Sequence, residues 1–103
     1  VYLRGQVPQD LGTGENVAVG DPAGQAGQVM ANVRALLAEA GAAMEHIVSC
    51  TVYLTDMGDF AAVNEIYGQY FKQPYPARAT VQVARLPKDA RVEIDVIASY
   101  EAG

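Results

Sequence analysis

The chain has 103 residues, of which 50% are hydrophobic and 18% are charged, so we expect one globular domain over residues 1–103 rather than a disordered segment. Its net charge of −5 comes from 12 acidic and 7 basic residues, and the sequence contains no basic run. Because phosphate contacts need clustered lysines and arginines, we do not expect nucleic acid as the main partner.

The first half of the chain predicts a strand, a connector and a long helix. Residues 1–6 have strand character, and residues 8–20 are rich in turn-forming residues. Asp21 followed by Pro22 is typical of a helix N-terminus, and Gly41 is typical of a helix end. Between them, apolar residues recur at helical spacing: Ala26, Val29, Met30, Val33, Leu36, Leu37 and Ala40.

The second half predicts a strand, a shorter helix and two further strands. Residues 47–55 alternate, and the predicted inward face consists of Val48, Cys50, Val52 and Leu54. Asp59 is the expected cap of the second helix, whose apolar residues are Phe60, Val63, Tyr67, Tyr70 and Phe71. Residues 80–84 and 91–100 are the expected last strands.

The predicted order is therefore β-α-β-α-β-β, which indicates an α+β sandwich with two helices packed on one face of a sheet. The opposite sheet face carries a mixture of side chains that includes Tyr53, Gln82, Glu93 and Ile97. This face is too apolar for plain solvent contact and too polar for a core. We therefore expect it to be an oligomer interface.

Cysteine and histidine are each present once, as Cys50 and His46. No internal disulfide can form, so a reducing compartment, and hence the cytoplasm, is the expected location. One cysteine and one histidine are too few for the usual ligands of a zinc site. We expect no cofactor. Cys50 alternates with apolar neighbours, which indicates a buried small hydrophobe rather than a nucleophile. No apolar run is long enough for a membrane span, and no signal peptide is visible.

Two charged residues are the main candidates for chemistry, one just before a predicted strand and the other inside the next strand. Arg78 follows Pro76 and Ala77 and offers a planar cation that can grip a carboxylate with two hydrogen bonds. Glu93, on the next strand, can order a water molecule or move a proton. The residues alone leave open that Arg78 is a surface arginine and that Glu93 lies on a solvated face.

Three further residues have two readings each. Asn64, on the second helix, is either a polar residue of the helix surface or a contact across an interface. Tyr75 lies between two prolines and either walls a pocket or covers the edge of the core. Gly5 either allows a bulge in the first strand or lets a ligand approach the backbone.

Nearly the whole chain resembles the RidA/YjgF family. The matching segments, in order, are GQVP at 5–8, TVYLTD at 51–56, PAR at 76–78, ARLPK at 84–88 and EIDVIA at 93–98. The helix over residues 25–41, with its asparagine at 32, and the set Asp59, Phe60, Asn64 and Tyr67 also fit the pattern. Several motifs in a fixed order make chance agreement implausible.

The resemblance implies a chorismate-mutase-like subunit, in which two helices pack on one face of a mixed sheet. It also implies a homotrimer with clefts between the subunits. It also implies hydrolysis of reactive 2-imino and enamine acids, such as 2-aminoacrylate, to 2-oxo acids and ammonia. Arg78 would bind the substrate carboxylate, and Glu93 would position the attacking water. Asn64, the backbone of Gly5 and the backbone N–H of Thr80 would line the cleft.

The chain also departs from the family pattern. Arg4 stands where many members have serine, and Ala79 and Thr80 replace a common Ser-Cys pair. We expect the family's N-terminal strand to precede Val1. A second hypothesis is therefore a trimer without catalytic activity that binds small carboxylates or acts as a regulatory or chaperone-like protein. Ribonuclease activity ranks last, because the chain is acidic and one histidine cannot supply paired-imidazole chemistry.

Overall fold

The structure, a computed structural model, describes residues 2–18, 20–72 and 75–99 and all of their side chains except that of Arg4. Its strands are β1 (Tyr2–Gln6), β2 (Ile47–Leu54), β3 (Ala77–Gln82) and β4 (Val92–Ala98), and its helices are α1 (Pro22–Glu39) and α2 (Phe60–Gly68). Short 3-10 turns precede β2, α2 and β4. Val1 and Tyr100, which we expected in the first and last strands, lie outside the described residues.

The four strands form one mixed sheet in the order β1-β4-β2-β3. β2 pairs in parallel with β3, and the other two pairings are antiparallel. Both helices bury their apolar residues with those of β2 and β4 in one core on a single sheet face. The predicted α+β class, the mixed sheet and the element order are therefore confirmed. Neither helix has the length and apolar character that a membrane span requires within the described residues.

Helix α1 begins and ends where the sequence indicates. Asp21 occupies the N-cap position before Pro22, although its side chain makes no capping hydrogen bond. At the other end Gly41 has a φ of +80°, a conformation that favours glycine. The N–H of Gly41 bonds to Ala38 O at 3.1 Å, and the N–H of Ala42 bonds to Leu37 O at 2.8 Å. These two bonds form a Schellman motif and satisfy the last carbonyls of the helix.

The alternation of β2 holds except at its start. Val48, predicted to face the core, is 49% exposed, whereas Ile47 is buried. The cause is an irregularity in the pairing with β4, where the register shifts between Ile47 and Ser49. An extra residue in one strand reverses the faces on either side of it.

Asp59, the predicted cap of α2, has a different role in the structure. Asp59 is the N-cap residue but makes no capping hydrogen bond. Its two carboxylate oxygens instead accept hydrogen bonds from Arg91 Nε at 3.0 Å and Nη2 at 2.9 Å. This charged fork is a stronger interaction than a cap, and it ties α2 to the start of β4. The helix ends at Gly68, so Tyr70 and Phe71 pack on the core from the segment beyond it.

Strand β3 begins three residues earlier than predicted, because its parallel pairing with β2 starts at Ala77 opposite Ser49. This register also corrects the face assigned to Gln82. Gln82 lies opposite Leu54, and Val81 is the residue beside Tyr53. The Gln82 side chain accepts a hydrogen bond from the N–H of Met57 at 2.8 Å, so it belongs to the helix side of the sheet.

Candidate functional site

Arg78 lies inside β3 and points to the helix side of the sheet, where its guanidinium rests on α2. Nη1 donates a hydrogen bond to Asn64 Oδ1. The guanidinium carbon lies 5.0 Å from the ring centroid of Tyr67 and 5.4 Å from that of Phe60. We call Arg78, Asn64, Phe60 and Tyr67 the Arg78 cluster. The cluster holds the Arg78 guanidinium in place. Among the described residues, the other N–H groups of the guanidinium stay available to a carboxylate.

Thr80 lies two residues beyond Arg78 and therefore on the same side of the sheet, opposite Val52. It is half-buried, and β3 is the edge strand at this end of the sheet. An edge strand has backbone groups that its own sheet does not use. Thr80 thus lies next to the Arg78 cluster, and its predicted role in a cleft stays a prediction.

Glu93 lies on the opposite face of the sheet, at the wall of a cavity of about 470 Å³. We call this space the Glu93 cavity. Its remaining lining residues are Gly5, Tyr53, Val83, Arg85, Leu86, Pro87 and Asp95. The cavity thus joins a bulge in β1, the middle of the sheet and the connection between β3 and β4. It contains two of the predicted site residues, Glu93 and Gly5.

A hydrogen-bond network shapes the floor of the Glu93 cavity. Gly5 has a φ of +65° and lies where the pairing of β1 with β4 is irregular, between Leu3 and Gln6. Its N–H donates to Asp95 Oδ1 at 2.6 Å, and the Tyr53 hydroxyl donates to Asp95 Oδ2 at 3.1 Å. Partial burial, and then this bond to Asp95, raise the pKa of Tyr53 above its usual value. The Tyr53 hydroxyl therefore keeps its proton further into the alkaline range than an ordinary tyrosine.

Arg78 and Glu93 do not converge within one copy of the chain. Arg78 lies opposite Cys50 on β2, and Glu93 lies opposite Tyr53 on the same strand. Because Cys50 and Tyr53 are an odd number of residues apart, the two charged side chains leave opposite faces. Standard strand spacing places their Cα atoms about 14 Å apart.

The remaining predicted residues separate in the same way. Asn64 belongs to the Arg78 cluster and Gly5 to the Glu93 cavity. Tyr75 precedes β3 and is 63% exposed, outside the lining of the Glu93 cavity. A larger cavity of about 710 Å³, lined by Arg34, Tyr70 and neighbouring residues, contains none of the predicted site residues.

Sequence reasoning missed the aromatic half of the Arg78 cluster and the network around Asp95. The signal for the first was present, because Phe60, Asn64 and Tyr67 recur at helical spacing and so share one face of α2. Cys50 lies beneath this cluster, and burial raises the pKa of its thiol, in agreement with an inert buried residue.

Comparisons with known proteins agree with this architecture. The sequence model of the Endoribonuclease L-PSP family matches residues 1–100. The protein DfrA of Myxococcus xanthus is 55% identical over 97 residues, which cover 94% of this chain and 73% of DfrA. The human 2-iminobutanoate/2-iminopropanoate deaminase is 45% identical over 98 residues, which cover 95% of this chain and 71% of that protein.

Solved structures show the same fold. The crystal structure of Escherichia coli TdcF with bound serine superposes with a TM-score of 0.89 at 43% identity, covering 97% of this chain and 80% of TdcF. The Escherichia coli YjgF gene product superposes with a TM-score of 0.88 at 43% identity, with the same two coverages. The matching family model, relatives and folds show that this chain belongs to the RidA/YjgF family.

Proposed function

We propose that this protein hydrolyses reactive 2-imino and enamine acids of the 2-aminoacrylate type to 2-oxo acids and ammonia. Support comes from the human relative, whose name states deamination of 2-iminobutanoate and 2-iminopropanoate. Further support comes from the TdcF structure, which holds serine, a small molecule with a carboxylate. A carboxylate is the group that the Arg78 cluster is built to bind.

The observation that carries the proposal is the division of the site between two sheet faces. In one copy the Arg78 cluster and the Glu93 cavity point apart. A complete cleft therefore needs the Arg78 cluster of one subunit to face the Glu93 cavity of its neighbour. The open sheet face supports such an assembly, since it exposes Tyr2, Val81 and Ile97. We propose a homotrimer with three such clefts.

In each cleft Arg78 grips the substrate carboxylate and fixes the imine carbon. Glu93 holds a water molecule, accepts its proton as the oxygen bonds to the imine carbon, and returns a proton to nitrogen. The hydroxyl of the resulting carbinolamine then gives up its proton while the nitrogen takes a second proton. The C–N bond breaks, ammonia leaves, and the carbon becomes the carbonyl of a 2-oxo acid. Because an imine carbon is already electrophilic, orientation and proton transfer supply most of what the reaction needs.

The test is ammonia release from imino acids generated in situ, measured for the wild type and two site variants. Arg78→Lys keeps the charge but loses the two-pronged geometry, so substrate binding should weaken strongly. Glu93→Gln should keep affinity for 2-oxobutyrate but lose about 10²-fold or more in kcat. Arg34→Lys is the matched control, because Arg34 also stacks on a tyrosine, at 5.3 Å, outside both parts of the site.

Two outcomes would contradict the proposal. Equal rates of ammonia release from the wild type and Glu93→Gln would remove Glu93 from the mechanism. No release from the wild type, together with tight binding of 2-oxobutyrate, would make the protein a carboxylate-binding protein rather than an enzyme.

A further inference from the structure

We propose that Tyr67, assisted by Phe60, is a positioning residue that fixes the Arg78 guanidinium for the substrate carboxylate. The inference rests on the proposed function in one respect only, namely that Arg78 binds the carboxylate. The inference adds that the rings of Phe60 and Tyr67 contribute to the affinity of Arg78 for the carboxylate. We call these two rings, on one face of α2, the aromatic platform.

The platform follows from the spacing of residues on α2. Phe60, Asn64 and Tyr67 are four and three residues apart, so their side chains lie along one face of the helix. Both rings lie within 6 Å of the guanidinium carbon of Arg78, at 5.4 and 5.0 Å. This is the range in which a ring face attracts a cation.

Tyr67 is the rigid part of this arrangement. Its side chain is only 7% exposed, and its ring packs against that of Phe71 with centroids 4.7 Å apart. Arg78, by contrast, is exposed in the single chain. An exposed arginine has many rotamers, and ordering it on binding costs free energy. A fixed ring beneath the guanidinium reduces that cost before the substrate arrives.

Asn64 adds direction to the platform. It accepts a hydrogen bond from Nη1 of Arg78, which leaves Nη2 and Nε of the same fork for a ligand. A carboxylate bound there by two hydrogen bonds would lie in the plane of the guanidinium. The platform thus sets the orientation of the guanidinium as well as its place.

The ring of Tyr67, rather than its hydroxyl, carries this role. The hydroxyl is buried without a hydrogen-bond partner among the described residues, and the Cys50 thiol is its polar neighbour. Because this hydroxyl is shielded from solvent, a ligand that approaches Arg78 from solvent does not contact it. Phenylalanine should therefore replace Tyr67 without loss of affinity, whereas leucine should not.

The experiment measures the Kd of 2-oxobutyrate by titration calorimetry, together with kcat and KM for ammonia release. Tyr67→Leu should raise Kd and KM about five-fold, the size of a lost cation–π contact. Its kcat should stay within about two-fold, because the carboxylate is bound equally in the ground and transition states. Tyr67→Phe should match the wild type in Kd, KM and kcat.

Tyr70→Leu is the matched control, since it removes the similar contact of 5.3 Å with Arg34 outside the site and should leave Kd unchanged. If Tyr67→Leu does not fold, Phe60→Leu removes the more accessible ring and should raise Kd in the same direction. Wild-type affinity in a folded Tyr67→Leu, or equal weakening by Tyr67→Phe, would overturn the inference. Because Kd is measured without turnover, a wild type that binds but releases no ammonia would overturn the proposed function alone.

Discussion

The backbone N–H of Gly5 donates a 2.6 Å hydrogen bond to a carboxylate oxygen of Asp95, ninety residues later in the chain. The other oxygen of that carboxylate accepts a hydrogen bond from the Tyr53 hydroxyl. Asp95 is only 9% exposed, so a single buried carboxylate joins three strands beneath the Glu93 cavity. The bulge at Gly5, and with it the shape of the cavity, depends on this group.

Replacing Asp95 with asparagine should lower the free energy of unfolding by about 1–3 kcal/mol. Asparagine has one acceptor oxygen and one NH2 group, so the Gly5 N–H can keep its acceptor, but the Tyr53 hydroxyl must change from donor to acceptor. Both hydrogen bonds also lose the negative charge of the carboxylate, which makes them weaker. Urea unfolding measures the change. The control is Asp89→Asn, at an exposed residue paired with Arg85 at 3.4 Å, where we expect a change of about 0.5 kcal/mol or less. Equal effects at the two positions would show that the network contributes no stability.

Sequence periodicity was sufficient to predict the helices and the order of the elements, because one-sided burial imposes a regular repeat. Periodicity failed where strand pairing determines which residue is exposed, or where a distant side chain determines the hydrogen-bond partner. The register shift near Ser49 exposes Val48, and the partner of Asp59 is Arg91, 32 residues further on. Neither feature leaves a signal in the local pattern.

Sequence motifs propose the residues of the candidate site but not their arrangement. The motifs point to Arg78 and Glu93, whereas the placement of these residues on opposite faces depends on how β3 and β4 each pair with β2. Those two registers place Cys50 beside Arg78 and Tyr53 beside Glu93. Long-range pairing of this kind is set by tertiary packing and turn geometry, which the spacing of single motifs does not contain.

The exposed apolar residues of the open sheet face lead to a prediction about assembly. Ile97 is 42% exposed in the single chain and lies beside Tyr2 of β1 on the same face. Ile97→Lys would bury a charge in the proposed interface, so it should yield monomers and abolish ammonia release. Light scattering at micromolar concentration measures the assembly. Leu11→Lys is the control, at an apolar residue of the connector that is 59% exposed. A wild type that is itself monomeric would contradict the proposed trimer.

Stability should fall at alkaline pH because three groups hold their protons more tightly in the folded protein. Burial raises the pKa of Cys50 above its usual 9.0 and the pKa of Tyr67 above its usual 10.0, and the pKa of Tyr53 is also raised. The unfolded chain therefore releases these protons first, and the stabilisation present below about pH 8 is lost as the pH rises.

Urea unfolding at several pH values between about 8 and 10 checks this expectation. The free energy of unfolding should decrease over that range. Tyr67→Phe removes one of the three groups, so its decrease should be shallower. A free energy that stays constant or rises with pH would contradict the effect of burial on these groups.

The division of the site between two subunits can be tested most directly by mixing two inactive variants. Arg78→Lys leaves the Glu93 cavity intact, and Glu93→Gln leaves the Arg78 cluster intact. If each cleft combines parts of two subunits, unfolding and refolding the variants together should restore roughly a quarter of the wild-type rate of ammonia release, since about one cleft in four receives both intact parts. Each variant refolded alone should remain inactive. No recovery in mixed assemblies whose hetero-oligomeric composition is verified by mass spectrometry would contradict the shared site.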